Sequence, residues 1–239
     1  MSHVLLVRHA QASFLEPDYD KLSPTGETQA RMLGEYWASR KVVFDRVYSG
    51  PRVRQIDTAK IVTGLCRQMG VASAELAILP EFDEYQGEDV LRTSVPELTK
   101  SDAGIRDLHA AFQSAVTSEE KRRTFQRMFE AVIGKWVDGE ISLQDVEPWP
   151  EFCARVNRGL SKITSNGVSG ERMAVFSSGG PIGAAMQRAL NLSPRDTLRV
   201  TWMSRNCSYS EFLARGDRFT LSAFNAFPHL DDPALLTYR

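Results

Sequence analysis

Short runs of branched apolar residues alternate with stretches of helical period along most of this chain, and that alternation limits its fold more than any other feature. Val4 to Val7, Val47 to Tyr48, Leu76 to Leu79, Met173 to Phe176, Tyr209 to Leu213 and Phe219 to Phe224 read as strands. After the first of them, Ser23 is placed to cap a helix that Pro24 opens, and Ala30, Leu33 and Trp37 share one of its faces. Ile182, Ala185, Met186, Ala189 and Leu190 repeat at helical spacing directly after Gly179-Gly180-Pro181, which makes a strand, tight turn and helix. Strands separated by helices argue for an α/β sheet.

The stretch from 87 to 150 breaks the rhythm. Phe125, Met128, Phe129, Val132, Ile133 and Trp136 form a helical stripe with no strand nearby, and the expectation is a helical cap inserted into one domain that spans 1–239. One amphipathic stripe does not set an oligomeric state. A formal net charge of -1 gives no global pull toward nucleic acid or a membrane, and Lys121-Arg122-Arg123 reads as a solvated helix face. Cys66, Cys153 and Cys207 lie far apart and make no C-x-x-C pair, so each reads as a packing residue in a reducing compartment. With no leader-like start and no apolar run long enough to span a bilayer, the expected location is the cytoplasm.

Chemistry gathers at strand ends, where open α/β sheets bind ligands. His9 follows the first strand and Arg8: a neutral imidazole can attack phosphorus, and a guanidinium matches phosphoryl oxygens. An Arg-His pair alone is common, so other groups must converge on it. Ser49-Gly50-Pro51-Arg52-Val53-Arg54 follows the second strand and opens a helix, where amides and an arginine can face an anion; spacing does not separate Arg52 from Arg54. Glu81, Asp83 and Glu84 cluster after the third strand, and mutual repulsion can raise one carboxyl pKa toward acid catalysis. Ser177-Ser178-Gly179-Gly180 brings hydroxyls and bare amides to a fourth helix start.

Leu6-Val7-Arg8-His9-Ala10 resembles the signature of the histidine phosphatase superfamily, which includes the cofactor-dependent phosphoglycerate mutases. Leu22-Ser23-Pro24-Thr25-Gly26 with Gln29-Ala30 is similar to the family's first helix, and Ser49-Gly50-Pro51 with Arg54 and Asp57-Thr58-Ala59 to its second motif. Leu79-Pro80-Glu81 fits the third, Val175 to Ile182 the last strand-turn-helix, and Asn225 with His229-Leu230 a frequent tail element. The resemblance implies a three-layer α/β/α fold with a mostly parallel central sheet. It implies His9 as phosphoryl acceptor, Arg8 and Arg54 as phosphate clamps with Ser178 and Gly179 beside them, and Glu81 as proton donor to the leaving oxygen. It implies a small phosphorylated substrate and neither metal nor organic cofactor.

Three positions depart from the family's pattern. Ser178 stands where most members carry a second histidine, Ala10 replaces a glycine, and Leu15 replaces a phosphate-contacting asparagine. A serine can donate one hydrogen bond but brings no charge. The segment Gln11 to Asp20 lacks the long insertion of the glycolytic mutases. The reading that follows is a phosphomonoester hydrolase, with a weakly active phosphoryl-binding homologue and a mutase as its alternatives.

Overall fold

A computed structural model describes residues 1–13, 20–165 and 167–238, and Leu15 lies outside them. The strands are β1 (Ser2–Arg8), β2 (Arg46–Ser49), β3 (Leu76–Ile78), β4 (Arg172–Ser177), β5 (Tyr209–Arg215) and β6 (Arg218–Ala226). They form one sheet in the order β3-β2-β4-β1-β5-β6. β3, β2, β4 and β1 run parallel; β5 is antiparallel to both its neighbours, β1 and β6, and alone runs against the rest. The expected mixed, mostly parallel α/β sheet is therefore the one observed, and each strand read from the sequence is present.

The chain divides into two compact units, one of Met1–Glu84 with Ala154–Arg239 and one of Tyr85–Cys153. In the first unit, α1 (Pro24–Ser39) and α2 (Val53–Gln68) cover one face of the sheet. Leu5 and Val7 of β1, Val47 of β2 and Ala174 and Phe176 of β4 meet Ala30, Leu33 and Trp37 of α1 and Ala59, Val62 and Cys66 of α2 in a single buried core. Trp37 is its keystone, with ring centroids 4.8 Å from Phe44, 5.7 Å from Tyr209 and 6.4 Å from Phe176. Alternation along the strands sends Val4, Leu6, Met173 and Val175 to the other face, where they are fully buried. There α7 (Gly179–Leu190) crosses β1 and β6, packs on α8 (Pro194–Met203) and is tied by Arg188 to the Asn157 carbonyl and Ser161 hydroxyl of α6 (Trp149–Thr164).

α1 starts as its sequence demands. The Ser23 hydroxyl accepts from Gly26 N–H at 3.0 Å, and Pro24 fills a first-turn position that needs no amide hydrogen. A Cβ on Gly26 would stand 2.1 Å from the carbonyl oxygen of Gln11, so glycine is what lets the helix seat against the segment that follows β1.

The second unit is helical: α3 (Gly87–Ser101), α4 (Ala103–Ser114) and α5 (Ser118–Val137), followed by the start of α6. The sequence stripe lies on α5, where Met128, Phe129, Val132, Ile133 and Trp136 are buried. Tyr85 stacks on Trp136 at 5.5 Å, and Trp149 meets Trp136 edge-on at 5.8 Å and Phe152 at 5.3 Å. Among the described residues, no helix is long and apolar enough to cross a membrane.

Two stability measurements test this packing. Gly26→Ala forces a methyl against backbone, a strain of about 1–3 kcal/mol; at roughly 2–4 °C per kcal/mol for a chain of this size, the melting temperature should fall by about 3–10 °C. His229 is buried, and that burial, opposed only in part by the Cys207 backbone, pushes its pKa from 6.5 down to about 4. The unfolded imidazole therefore binds a proton near pH 6.5 that the folded one refuses until about pH 4, and stability falls as pH drops through that window. The loss approaches about 3 kcal/mol; denaturant titrations at pH 7 and 4.5 should show it in the wild type and not in His229→Leu.

Candidate active site

Three neighbouring strands, β2, β4 and β1, deliver the site at their carboxyl ends. Arg8 pairs with Ser177 in the β1–β4 register, and the His9 N–H continues the ladder to the Ser177 carbonyl at 2.7 Å. His9 and Ser178 are the next residues on the two chains, side by side at roughly the 4.8 Å spacing of paired strands. The His9 carbonyl accepts from Cys207 N–H at 3.2 Å and Asn206 Nδ2 at 3.3 Å, so its backbone is held from both sides.

The imidazole of His9 is buried and its tautomer is set by its partners. Nδ1 lies 2.8 Å from the Ala10 carbonyl, which can only accept, so Nδ1 carries the hydrogen. Nε2 receives the Arg54 Nε–H at 3.1 Å, so Nε2 holds a lone pair. A neutral imidazole with Nε2 basic, beside a fixed guanidinium, is the form that attacks an electrophile.

Arg54 sits in the first turn of α2, and its Nη1 is 2.6 Å from Asp20 Oδ1. Asp20 Oδ2 accepts from Val53 N–H at 2.9 Å. One carboxylate thus spans Arg54 and the start of α2, two groups that favour an oxyanion. Arg52 turns elsewhere, with its Nε 2.6 Å from Asp83 Oδ1. Geometry therefore separates the two arginines that spacing could not.

The same holds for the acidic cluster. Glu81 Oε1 is 3.0 Å from Lys162 Nζ. Partial burial pushes its carboxyl pKa up, but a hydrogen bond from its own amide and the Lys162 ammonium outweigh that and leave the pKa below the usual range. Such a carboxylate stays ionised at neutral pH and is a poor proton donor. Asp83 is engaged by Arg52 and by Glu84 N–H. Glu84 places both oxygens on the Gly180 amide at the start of α7, at 3.1 and 3.3 Å, next but one along the chain from Ser178.

Arg8 holds the C-terminal segment: Nη1 donates to the Ser204 carbonyl and Nη2 to that of Tyr238 at 2.6 Å. His9, Arg54, Ser178 and Gly179 with the α7 amides are brought to one sheet edge, while Arg8 is directed at those carbonyls and Glu81 at Lys162. Four contributors were missed from sequence. Asp20 holds Arg54, Gln55 donates to Ser178 Oγ at 2.7 Å, Thr58 Oγ1 accepts from Ala10 N–H at 3.0 Å, and Asn206 binds the His9 carbonyl. Thr58 lies in a motif already quoted, and Asp20 just ahead of Leu22-Ser23-Pro24; Asn206 carries no local signal. Burial pushes the thiol pKa of Cys66 and Cys207 up and that of Cys153 to about 12, so none is a ready thiolate.

Residues 4–138 and 97–226 match the sequence profile of the histidine phosphatase superfamily, branch 1. The chain belongs to this superfamily. Its fold is shared by a phosphoserine phosphatase mutant from Entamoeba histolytica in complex with phosphoserine, at 18% identity and TM-score 0.61 over 96% of this chain and 100% of that one. A mycobacterial glucosyl-3-phosphoglycerate phosphatase is similar at 16% and 0.61 over 94% and 98%, and a Bacillus anthracis phosphoglycerate mutase at 17% and 0.61 over 95% and 94%. Among proteins of curated function, none matches by sequence. Membership sets the chemistry of this chain within phosphoester hydrolysis or phosphoryl transfer.

The carboxylate of Asp20 occupies donors that an incoming phosphate would share. Replacing it with the neutral Asp20→Asn removes a like charge beside them, and inorganic phosphate should then bind several-fold tighter by calorimetry. Weaker binding would show instead that the carboxylate is needed to hold Arg54.

Proposed function

We propose that this member of the histidine phosphatase superfamily is a phosphomonoester hydrolase that works through a phosphohistidine on His9 and acts on a small phosphorylated substrate. The observation that carries the proposal is the buried, neutral His9 with its Nε2 lone pair against Arg54, at a strand end flanked by the starts of α2 and α7. In the first step Nε2 bonds to phosphorus as the ester P–O bond breaks in line, and the leaving alkoxide takes a proton. In the second, water attacks the phosphoimidazole, gives up a proton and releases inorganic phosphate, returning His9 to its neutral form. Arg54 and the Gly179 amide at the start of α7 balance charge on the equatorial oxygens.

Glu84 is assigned the proton transfers in preference to Glu81. It is the member of the acidic cluster that reaches the α7 start next to Ser178, whereas Glu81 is turned to Lys162. The substrate class is read from the relatives' own ligands, phosphoserine and 3-phosphoglyceric acid, together with the chemistry of the site.

A second reading rests on Ser178. Its buried hydroxyl is paired with an uncharged amide, so the site has no second imidazolium to stabilise a transition state. Losing one preorganised donor costs about 2.7–4 kcal/mol of barrier when nothing replaces it. The protein would then hold phosphorylated ligands with little turnover.

Phosphate release from a panel of phosphomonoesters across pH 4 to 8 decides between them. Turnover should vanish in His9→Ala, and a phosphate label should be trapped on the wild type in acid quench. Binding without turnover would establish the second reading, and isomerisation of a substrate without phosphate release would establish a mutase. On an ester with a poor leaving group, Glu84→Gln should slow turnover by a hundredfold or more and Glu81→Gln by only a few-fold; the reverse order would return the acid to Glu81.

A further inference from the structure

The hydroxyl of Ser178 has a hydrogen whose direction is settled by its neighbours. Gln55 lies in the first turn of α2 and is fully buried. Its Oε1 accepts from the Arg52 backbone N–H at 3.1 Å, which fixes the amide orientation because an N–H needs an oxygen opposite it. The other end, Nε2, then carries two hydrogens. One goes to Ser178 Oγ at 2.7 Å and the other makes a longer contact with the Phe82 carbonyl at 3.4 Å. A Cβ on Gly50 would lie 2.2 Å from Gln55 Oε1, so glycine at that position leaves the amide its place.

Ser178 Oγ must therefore accept from Gln55. Among the described residues the serine makes no other side-chain bond, and it does not cap α7 although it stands at the N-cap. Its own hydrogen is left to point away from Gln55. The backbone of Ser178 is extended and continues β4 alongside His9, at the edge where Nε2 of His9 meets Arg54.

We infer that Gln55 is a positioning residue that makes Ser178 an obligatory hydrogen-bond donor to a phosphoryl oxygen, through the relay Arg52 N–H to Gln55 to Ser178 to ligand. This inference rests on the proposed phosphoryl chemistry of His9. It goes beyond that reading by giving the residue in the second histidine's place a defined proton direction. The relay is neutral at every link, so its strength does not change with pH between about 5 and 9, where an imidazole at the same place would gain or lose a proton.

A double-mutant cycle on the affinity for inorganic phosphate tests it, with the full chain and its melting temperature recorded for every variant. Ser178→Ala removes the donor, and Gln55→Glu keeps the shape while offering the hydroxyl an acceptor that turns its hydrogen inward. Each should weaken phosphate binding by about tenfold to a hundredfold. The double variant should be little worse than the weaker single one, because both act on one hydrogen bond. Ser178→Thr, which keeps the hydroxyl, should retain most of the affinity. Should Gln55→Glu not fold, Gln55→Met takes its place in the cycle with the same coupling expected.

Losses that simply multiply in the double variant, or a Gln55 variant that binds phosphate within twofold of wild type, would overturn the relay while leaving the His9 chemistry standing. A wild type that neither binds phosphate nor hydrolyses any ester would take down the relay together with the function on which it rests. A pH profile of phosphate affinity in Ser178→Ala with the same shape as the wild type's is the further expected result, since the relay adds no titrating group; a limb that appears only in the variant would count against a neutral relay.

Discussion

Backbone amides at the first turn of a helix have no partner within it, and two helices of this protein begin side by side with that need unmet. α2 follows β2 and α7 follows β4, and because β2 and β4 are paired, both starts lie on one sheet edge. The structure answers with a carboxylate at each: Asp20 on the Val53 amide and Glu84 on that of Gly180. The positive ends of two helix dipoles, one guanidinium and a neutral imidazole are thereby held within one neighbourhood. Everything else about the site, including the choice between Arg52 and Arg54 and among three acidic residues, follows from which charges are drawn there and which are paired off at a distance.

The fold was legible because its signals are periodic. Strand residues such as Val4 and Leu6 alternate with Leu5 and Val7, and Ala30, Leu33 and Trp37 recur at helical spacing, so both faces of the sheet and the inner face of α1 could be read directly. His9, Ser178 and Gly179 could be placed in the same way, since strand ends and helix starts locate them without knowledge of a partner, whereas spacing alone did not tell Arg54 from Arg52. What was not legible depends on distant pairings. Glu81 and Glu84 lie three residues apart, and only the 3₁₀ turn Pro80–Phe82 with Lys162 and Gly180 at its flanks sends one to an ion pair and the other to α7. Gln55 offers no pattern at all; its meaning appears only when Ser178, far along the chain, is brought within hydrogen-bond distance.

The replacement of a family histidine by Ser178 changes the physics of the site more than its shape. An imidazolium in a buried place must be balanced against desolvation, whereas a hydroxyl paired with an amide needs no counter-charge. Among the described residues, Arg54 beside His9 is paired with Asp20, and Glu84 stands on a helix start. Such a site relies on directed neutral donors, and a hydrogen bond a few tenths of an ångström out of place weakens it as surely as a lost charge would.

The position of β1 in the middle of the sheet has a consequence for how the molecule comes into being. β1 lies between β4 and β5, both of which are made only after the whole helical insertion has been synthesised. His9 is thus made well before the strands that surround it. Until β4 arrives the His9 amide lacks the Ser177 carbonyl, and until Asn206 and Cys207 arrive its own carbonyl lacks their donors. Pairings of such long sequence separation form slowly, since loop-closure entropy must be met before the contacts form. A half-made chain of this protein therefore carries His9 without its surroundings, and the hydrogen bonds that hold it arise only with completion of the sheet.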